Sequence, residues 1–422
     1  MPFYWHMNLA FLPSLPFTLS YPLLFGVLLV AGMLGGELAR AIRIPRIVGY
    51  VVVGFALAPF TRAMGIESLL DSARIFVDLA LGLVLFDLGR RMDLKWMKRD
   101  WTIAASGFAE SALAFGGVLG ALMALRFDPL MSGIAAAIAM ASSPAVLMLL
   151  AHDLESEGQV TERAMNLVAL NSLCSSIIVT ILLGSAHFEA QRRIEVAILH
   201  PLYLFVGSLV LGWAMAWILR FIARSIEKTR EVHFALIAGM VVCAVGLASM
   251  LRLPVILALL CFGLFARNDD RSYDLLNVNL APVGRLLYIV LFVITGASLS
   301  LPSFGTGLAI GVVVALARVA GKVIGVLVVA PLSGLRPRQA LGLAAAVLPM
   351  SSIALLMLHD VAGLFPDFAE GLAGALMGAL VVMEILGPFA VQWGLRFAGE
   401  TAPPDPTATG RFVARPPTAP AE

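Results

Sequence analysis

Apolar residues run through this 422-residue chain in stretches of about 20, separated by short polar links. Wound as helix, a run of that length crosses the hydrocarbon core of a bilayer. The pattern predicts spans near residues 18–39, 47–61, 73–89, 101–125, 129–151, 163–185, 197–222, 232–250, 253–267, 282–299, 306–331, 339–359 and 370–398. The expected fold is therefore all-α and polytopic, with about 13 transmembrane helices.

Two of the runs are interrupted, and the interruptions match. AAAIAMASSPAVLMLLAHD at 135–153 returns as AAAVLPMSSIALLMLHD at 344–360. Ser142-Ser143 and Ser351-Ser352 stand 209 residues apart, and each copy carries a proline, Pro144 or Pro349. Proline lacks the amide and clashes with the preceding turn, so each helix should break there. The freed backbone groups cannot face lipid and must line protein or a wet cavity. Arg43-Ile44-Pro45 returns as Arg252-Leu253-Pro254, and Leu85-Phe86 with Gly89 returns as Leu291-Phe292 with Thr295-Gly296. Spans 1–6 thus match spans 8–13, and the odd displacement of seven spans inverts one half against the other. An inverted-topology repeat with two crossed, broken helices implies alternating access around a site near the midplane.

Composition narrows the class further. Sixty per cent of residues are hydrophobic and 13% charged, against roughly a quarter charged in soluble domains, which excludes a single soluble globule. A net charge of +2 gives no argument for nucleic acid. Cys174, Cys243 and Cys261 lie in apolar runs without ligand spacing, so neither a disulfide framework nor a metal site is expected. There is no nucleophile–base arrangement and no phosphate loop, so the chain reads as a non-enzyme needing no cofactor. No basic stretch precedes the first apolar run, so no cleavable signal peptide is expected. Loops on one side of the predicted topology carry 21 lysines and arginines, those on the other six. This places the N-terminus outside and the C-terminus in the cytoplasm.

The organisation expected is a membrane domain over 1–400 and a disordered, proline-rich cytoplasmic tail over 401–422. Within the membrane domain, repeat 1 covers about 18–185, a linker helix about 197–222 and repeat 2 about 232–398.

Several stretches resemble the monovalent cation:proton antiporter superfamily, in the branch of potassium-efflux and sodium/proton exchangers. They are RIPRIVGYVVVGFALAP at 43–59, DLALGLVLFDLGRRMDL at 78–94, ASSPAVLMLL at 141–150 and LLYIVLFVITGASLSL at 286–301, similar to that family's second, third, fifth and tenth spans. The resemblance implies a homodimer in the inner membrane, with a six-helix core from spans 4–6 and 11–13 that carries the ion by an elevator-like movement. It also implies Asn-Asp or Gln-Asp in the sixth span. Here Asn171 is present, but Ser172 stands where the aspartate belongs. A hydroxyl ligates a cation weakly and cannot hold and release a proton near neutral pH. Relatives of the potassium-efflux type often add a nucleotide-binding domain, and none is expected from residues 399–422.

Charges inside the bilayer are costly, about 2.5–3.5 kcal/mol each on insertion scales, so each needs a role. Arg318 and Lys322 share one face of the eleventh span. Arg318 matches a basic position beside the family's ion site, while Lys322 could titrate, pair or snorkel. Glu110, mid-span in the fourth helix, could replace the missing aspartate as proton carrier or serve as partner to Arg318. Asp87 lies beside Arg90 and Arg91, which suits a local ion pair, and Glu384 could close a pair with Lys322. Both remain further proton-carrier candidates. His152 and His359 end the broken helices, where a cap or a pH-sensing role is open.

The expected ion site is Asn171, Ser172, Ser142, Ser143, Ser351, Ser352 and Arg318. The expected function is exchange of a monovalent cation (Na+ or K+) for protons across a lipid bilayer. A non-transporting sensor of the same fold and an anion or organic-solute carrier are the alternatives, the latter suited to a positive, carboxylate-poor core.

Overall fold

The computed structural model describes residues 21–63, 74–191, 194–227, 229–268, 281–298, 304–350, 353–355, 357–358, 361 and 372–401. Ser351, Ser352, His359, Asp360 and the predicted tail beyond residue 401 lie outside the described residues.

The described secondary structure is helical apart from one isolated bridge. In chain order the helices are α1 (Tyr21–Ala41), α2 (Arg46–Ala63), α3 (Arg74–Arg91), α4 (Leu94–Arg99), α5 (Trp101–Ala124), α6 (Pro129–Met140), α7 (Pro144–Asp153), α8 (Gln159–Gln191), α9 (Ile194–Ser225), α10 (Arg230–Met250), α11 (Val255–Asn268), α12 (Ala281–Ser298), α13 (Phe304–Val329), α14 (Pro337–Ala346) and α15 (Gly374–Ala398). Seven are long and apolar enough to cross a membrane, and five shorter apolar helices accompany them. Several predicted spans prove longer as helices: 163–185 is the middle of α8, and 197–222 the middle of α9. Their polar ends continue the helix past the apolar window from which the spans were read.

Polarity is distributed as a bilayer demands. Large apolar side chains face outward, among them Phe108, Trp213, Trp217 and Phe221, while Glu110, Ser142, Asn171, Ser172, Arg318 and Lys322 are buried. A soluble protein does not expose apolar side chains over its whole girth.

The matched sequence stretches adopt matched conformations. Arg43 and Arg252 both take the left-handed region (φ 64° and 53°), uncommon for residues other than glycine. Each ends a helix in the same way: Ile44 N–H donates to Ala39 O at 2.9 Å and Leu253 N–H to Ala248 O at 2.8 Å. The reversed chain then meets Pro45 or Pro254 and starts the next helix. Packing is matched too. α1 lies on α2 and α10 on α11; α2 lies on α12 and α3 on α11; α6 lies on α8 and α14 on α15. Both α2–α12 and α3–α11 cross at glycines. A Cβ on Gly54 would strike the Val293 carbonyl and one on Gly296 the Val51 carbonyl. Gly89 meets Leu260 and Gly263 meets Phe86 in the same manner.

Two sets of helices result. α5, α6, α7, α8, α13, α14 and α15 pack on one another, and α1, α2, α3, α10, α11 and α12 form the second set, with α9 against α8, α10 and α11. Polar clasps pin the first set at one end. Asp100, the N-cap of α5, accepts from Arg163 on α8 at 2.5 Å and from the Thr102 hydroxyl. Burial alone would push the Asp100 carboxyl up, but these bonds and the nearby guanidinium outweigh it and hold it below the ordinary carboxylate range. The clasp is thus complete above the unfolded carboxylate pKa and is lost as pH falls through the folded value.

Glu400, just past α15, forms the second clasp. Its carboxylate accepts from the N–H groups of Val160 and Thr161 at 2.7 and 2.8 Å and from the Thr161 hydroxyl at 2.9 Å. It thereby caps the first turn of α8, where an anion is favoured. Glu400→Ala should lower stability by about 1–2 kcal/mol. Thermal unfolding in detergent checks this, and an unshifted midpoint would refute the capping role.

Candidate functional site

The first broken helix is α6 and α7, parted at Ala141–Ser143; the second is α14, parted from the helical residues at 353–355. Pro144 and Pro349 sit at the two breaks, where the expected missing amides interrupt the helices. The extended stretches cross and pair as a single antiparallel bridge between Ser142 and Met350. Ser143 N–H donates to Pro349 O at 2.9 Å and the Ser142 hydroxyl to Val347 O at 2.6 Å. The Ser143 hydroxyl accepts from Val146 N–H at 3.3 Å, capping α7.

Arg318, on α13, is fully buried beneath this crossing. Its Nε donates to Ala139 O at 2.6 Å, and Nη2 to Ala141 O and Pro349 O at 3.0 and 3.1 Å. Nη1 donates to Leu348 O and lies 3.9 Å from the Met383 sulfur. A guanidinium has five N–H donors, and all five are engaged. The side chain therefore neutralises the negative ends of both half-helices and ties them together. It does not touch Glu110.

Glu110 pairs instead with Lys322, one turn further along α13. Nζ lies 2.5 Å from Oε2, and both side chains are 0% exposed. Gly325 permits this by letting the backbone of α13 come against that of α5 at Glu110 itself. The other carboxylate oxygen, Oε1, accepts from Asn171 Nδ2 at 2.8 Å. Asn171 also donates to the Ser142 hydroxyl at 3.0 Å and accepts from Ser142 N–H at 3.0 Å. An unbroken chain of polar contacts thus runs Lys322–Glu110–Asn171–Ser142, ending on the crossing. A buried ion pair is worth retaining only where geometry and further hydrogen bonds support it, and here Asn171 supplies one to Glu110.

The remaining expected residues fall elsewhere. Ser172 turns its hydroxyl back to Val168 O at 2.8 Å, within its own helix. Asp87 sits at the end of α3 with Arg90 at 3.8 Å and Arg91 at 3.5 Å, away from the crossing. Glu384, on α15, is buried with neither carboxylate oxygen bonded, so the expected pair with Lys322 does not form. His152 is exposed at the end of α7. Sequence reasoning overlooked Ser175, which donates to Ala137 O at 2.6 Å and lies 3.6 Å from the Met357 sulfur. Its spacing of four from Asn171 was the available signal. Among the described residues, no group of three or more metal-ligating side chains occurs.

The site's chemistry is that of one buried carboxylate holding one cation and joined through Asn171 to the crossing. The model of the transmembrane sodium/hydrogen exchanger family matches residues 25–395 of this chain. Among solved structures, the sodium proton antiporter MjNhaP1 from Methanocaldococcus jannaschii at pH 8 superposes with a TM-score of 0.70 at 18% identity, covering 90% of this chain and 98% of that one. A second structure, from an electron-microscopy map of the same antiporter, gives 0.68 at 18% identity over the same shares. The fold is shared with these proteins.

Proposed function

Because this chain belongs to the sodium/hydrogen exchanger family, we propose that it exchanges a monovalent cation, sodium or potassium, for protons by alternating access. The observation that carries this reading is the fully buried Glu110–Lys322 pair, joined through Asn171 to Ser142 at the crossing. Glu110 can serve one cation at a time. In the proton-loaded form that cation is the Lys322 ammonium. An entering metal ion takes its place on the carboxylate, with the Asn171 amide and the Ser142 hydroxyl beside it, and the displaced lysine gives its proton to water. When the ion leaves on the opposite side, Lys322 takes up a proton from water there and returns to the carboxylate as the ammonium. Glu110 with Lys322 thus takes the part that the resemblance gives to an aspartate at 172, while Ser143 lines the crossing. Asp87 and Glu384 stand outside this path.

Thirteen spans in two inverted halves suit this cycle. The paired glycine crossings support the repeat. The 21-to-six division of basic residues supports an outer N-terminus and a cytoplasmic C-terminus in a bacterial-type inner membrane, where we expect a homodimer. An anion carrier fits less well, since Arg318 has no N–H left to offer an anion.

Proton flux in inside-out vesicles on adding sodium, potassium or lithium tests the proposal, with Ser172→Asp measured alongside. The native chain should dissipate a preformed proton gradient on addition of sodium or potassium. Silence from the native chain together with a response from Ser172→Asp would overturn the role of Glu110. Silence from both would overturn exchange itself.

A further inference from the structure

Arg46 opens α2, in the set of helices outside the crossing, yet its guanidinium is shared between the two sets. Nη2 lies 3.0 Å from Glu37 on α1, and Nη1 lies 3.7 Å from Asp153 on α7. The other ion pairs described above, Asp87 with Arg90 and Arg91, Asp100–Arg163 and Lys322–Glu110, each stay within one set. We propose that Arg46 is a positioning residue for transport: a latch that holds the half-helix α7 through Asp153 and hands over to Glu37 when α7 withdraws.

Three features suit it to that task. First, α7 is a rigid lever. It runs from Pro144 to Asp153, 10 residues, or about 15 Å of helix. Its far end is capped by Ser143, whose amide is bonded across the crossing to Pro349. Holding Asp153 therefore holds one wall of the site. Second, release does not strand the Arg46 guanidinium. Arg46 is 27% exposed and retains Glu37, itself 55% exposed, so water and one carboxylate remain when Asp153 leaves. Removing a partner from a fully buried charge is costly, whereas a partly exposed pair, here 27% and 17% exposed, exchanges at lower cost. Arg318, with five buried bonds, is built to stay; Arg46 is built to let go. Third, the two acids compete. Glu37 draws the guanidinium toward α1 and Asp153 draws it toward α7, so removing one strengthens the hold of the other.

The inference rests on the reading that the crossing moves during transport, but not on which ion moves or on the part played by Glu110. Hydrogen–deuterium exchange of the full chain in nanodiscs, followed by mass spectrometry of peptides covering 144–153, tests it without needing transport. Asp153→Asn and Arg46→Gln should each speed exchange there by roughly two- to fivefold, the range expected of a partly exposed pair. Glu37→Gln should slow it. The increase for Asp153→Asn runs against the local trend, because removing an anion from a helix C-terminus by itself steadies the helix. Faster exchange in Glu37→Gln, or no change in all three variants, overturns the latch. If the native chain moves no protons in vesicles while the opposite signs persist, the latch stands and the exchange reading fails.

Discussion

Arg318→Lys should unfold at a markedly lower temperature than the native protein, although it keeps the charge. A lysine ammonium has three donors at one point, whereas the guanidinium spreads five over a planar fork. The carbonyls of Ala139, Ala141, Leu348 and Pro349 come from two different chain breaks, so one ammonium cannot serve them all. Two or more buried carbonyls then lose their partner, at about 1–3 kcal/mol each. The sum, on the order of 2–6 kcal/mol, is a large part of a typical folding free energy of about 5–15 kcal/mol. Fluorescence-monitored melting in detergent, beside Ser143→Ala as a one-cap control worth about 1 kcal/mol, checks this. Equal midpoints for Arg318→Lys and the native chain would mean that the guanidinium is not what joins the breaks.

Much of this architecture was legible before any coordinates. The Ser-Ser-Pro and Pro-Met-Ser-Ser interruptions located both breaks to within a residue or two, because proline acts through its own missing amide and needs no tertiary context. The Arg43-Ile44-Pro45 and Arg252-Leu253-Pro254 stops were likewise local signals, and both appear as left-handed turns. The family, too, could be read from the order of such motifs, and the match over 25–395 agrees.

Partner choice among the buried charges was not legible. The four-residue spacing of Arg318 and Lys322 puts both on one face of a helix, but it does not say which neighbour meets which. The sequence reading offered Arg318 to Glu110 and Glu384 to Lys322. In the structure Lys322 takes Glu110, because Gly325 brings α13 onto α5 at that level, and Arg318 takes backbone carbonyls instead. Backbone acceptors freed by a break are invisible to any search for opposite charges. The same reason hid the orientation of Ser172, whose hydroxyl chooses its own helix over the crossing. Gly54 and Gly263 were missed because a close approach of two backbones leaves no mark in hydrophobic periodicity.

Glu110→Gln should abolish cation-driven proton movement, and the harder question is whether it does so by removing a carrier or by damaging the fold. The single change strands the Lys322 ammonium in a fully buried position, a loss of about 3–5 kcal/mol for a buried pair deprived of one partner. Lys322→Met strands Glu110 in the same way. Either variant alone therefore confounds stability with chemistry. The double variant Glu110→Gln/Lys322→Met separates them. It removes both charges from a buried region. Replacement of a whole buried pair by hydrophobic groups of similar volume is often neutral or stabilising, and the glutamine amide adds at most the cost of an unmade hydrogen bond, about 1–3 kcal/mol. Asn171 keeps an oxygen acceptor in the glutamine amide, so the contact to Ser142 need not be disturbed. The expected outcome is a melting midpoint restored to near the native value with proton flux still absent. Restored flux would show that the carboxylate does not hold the transported ion, and the search for the carrier would turn to Glu384. A midpoint as low as in the single variants would instead mark the pair as a structural tie, with Asn171 and Ser142 depending on the charge of Glu110 to hold their places.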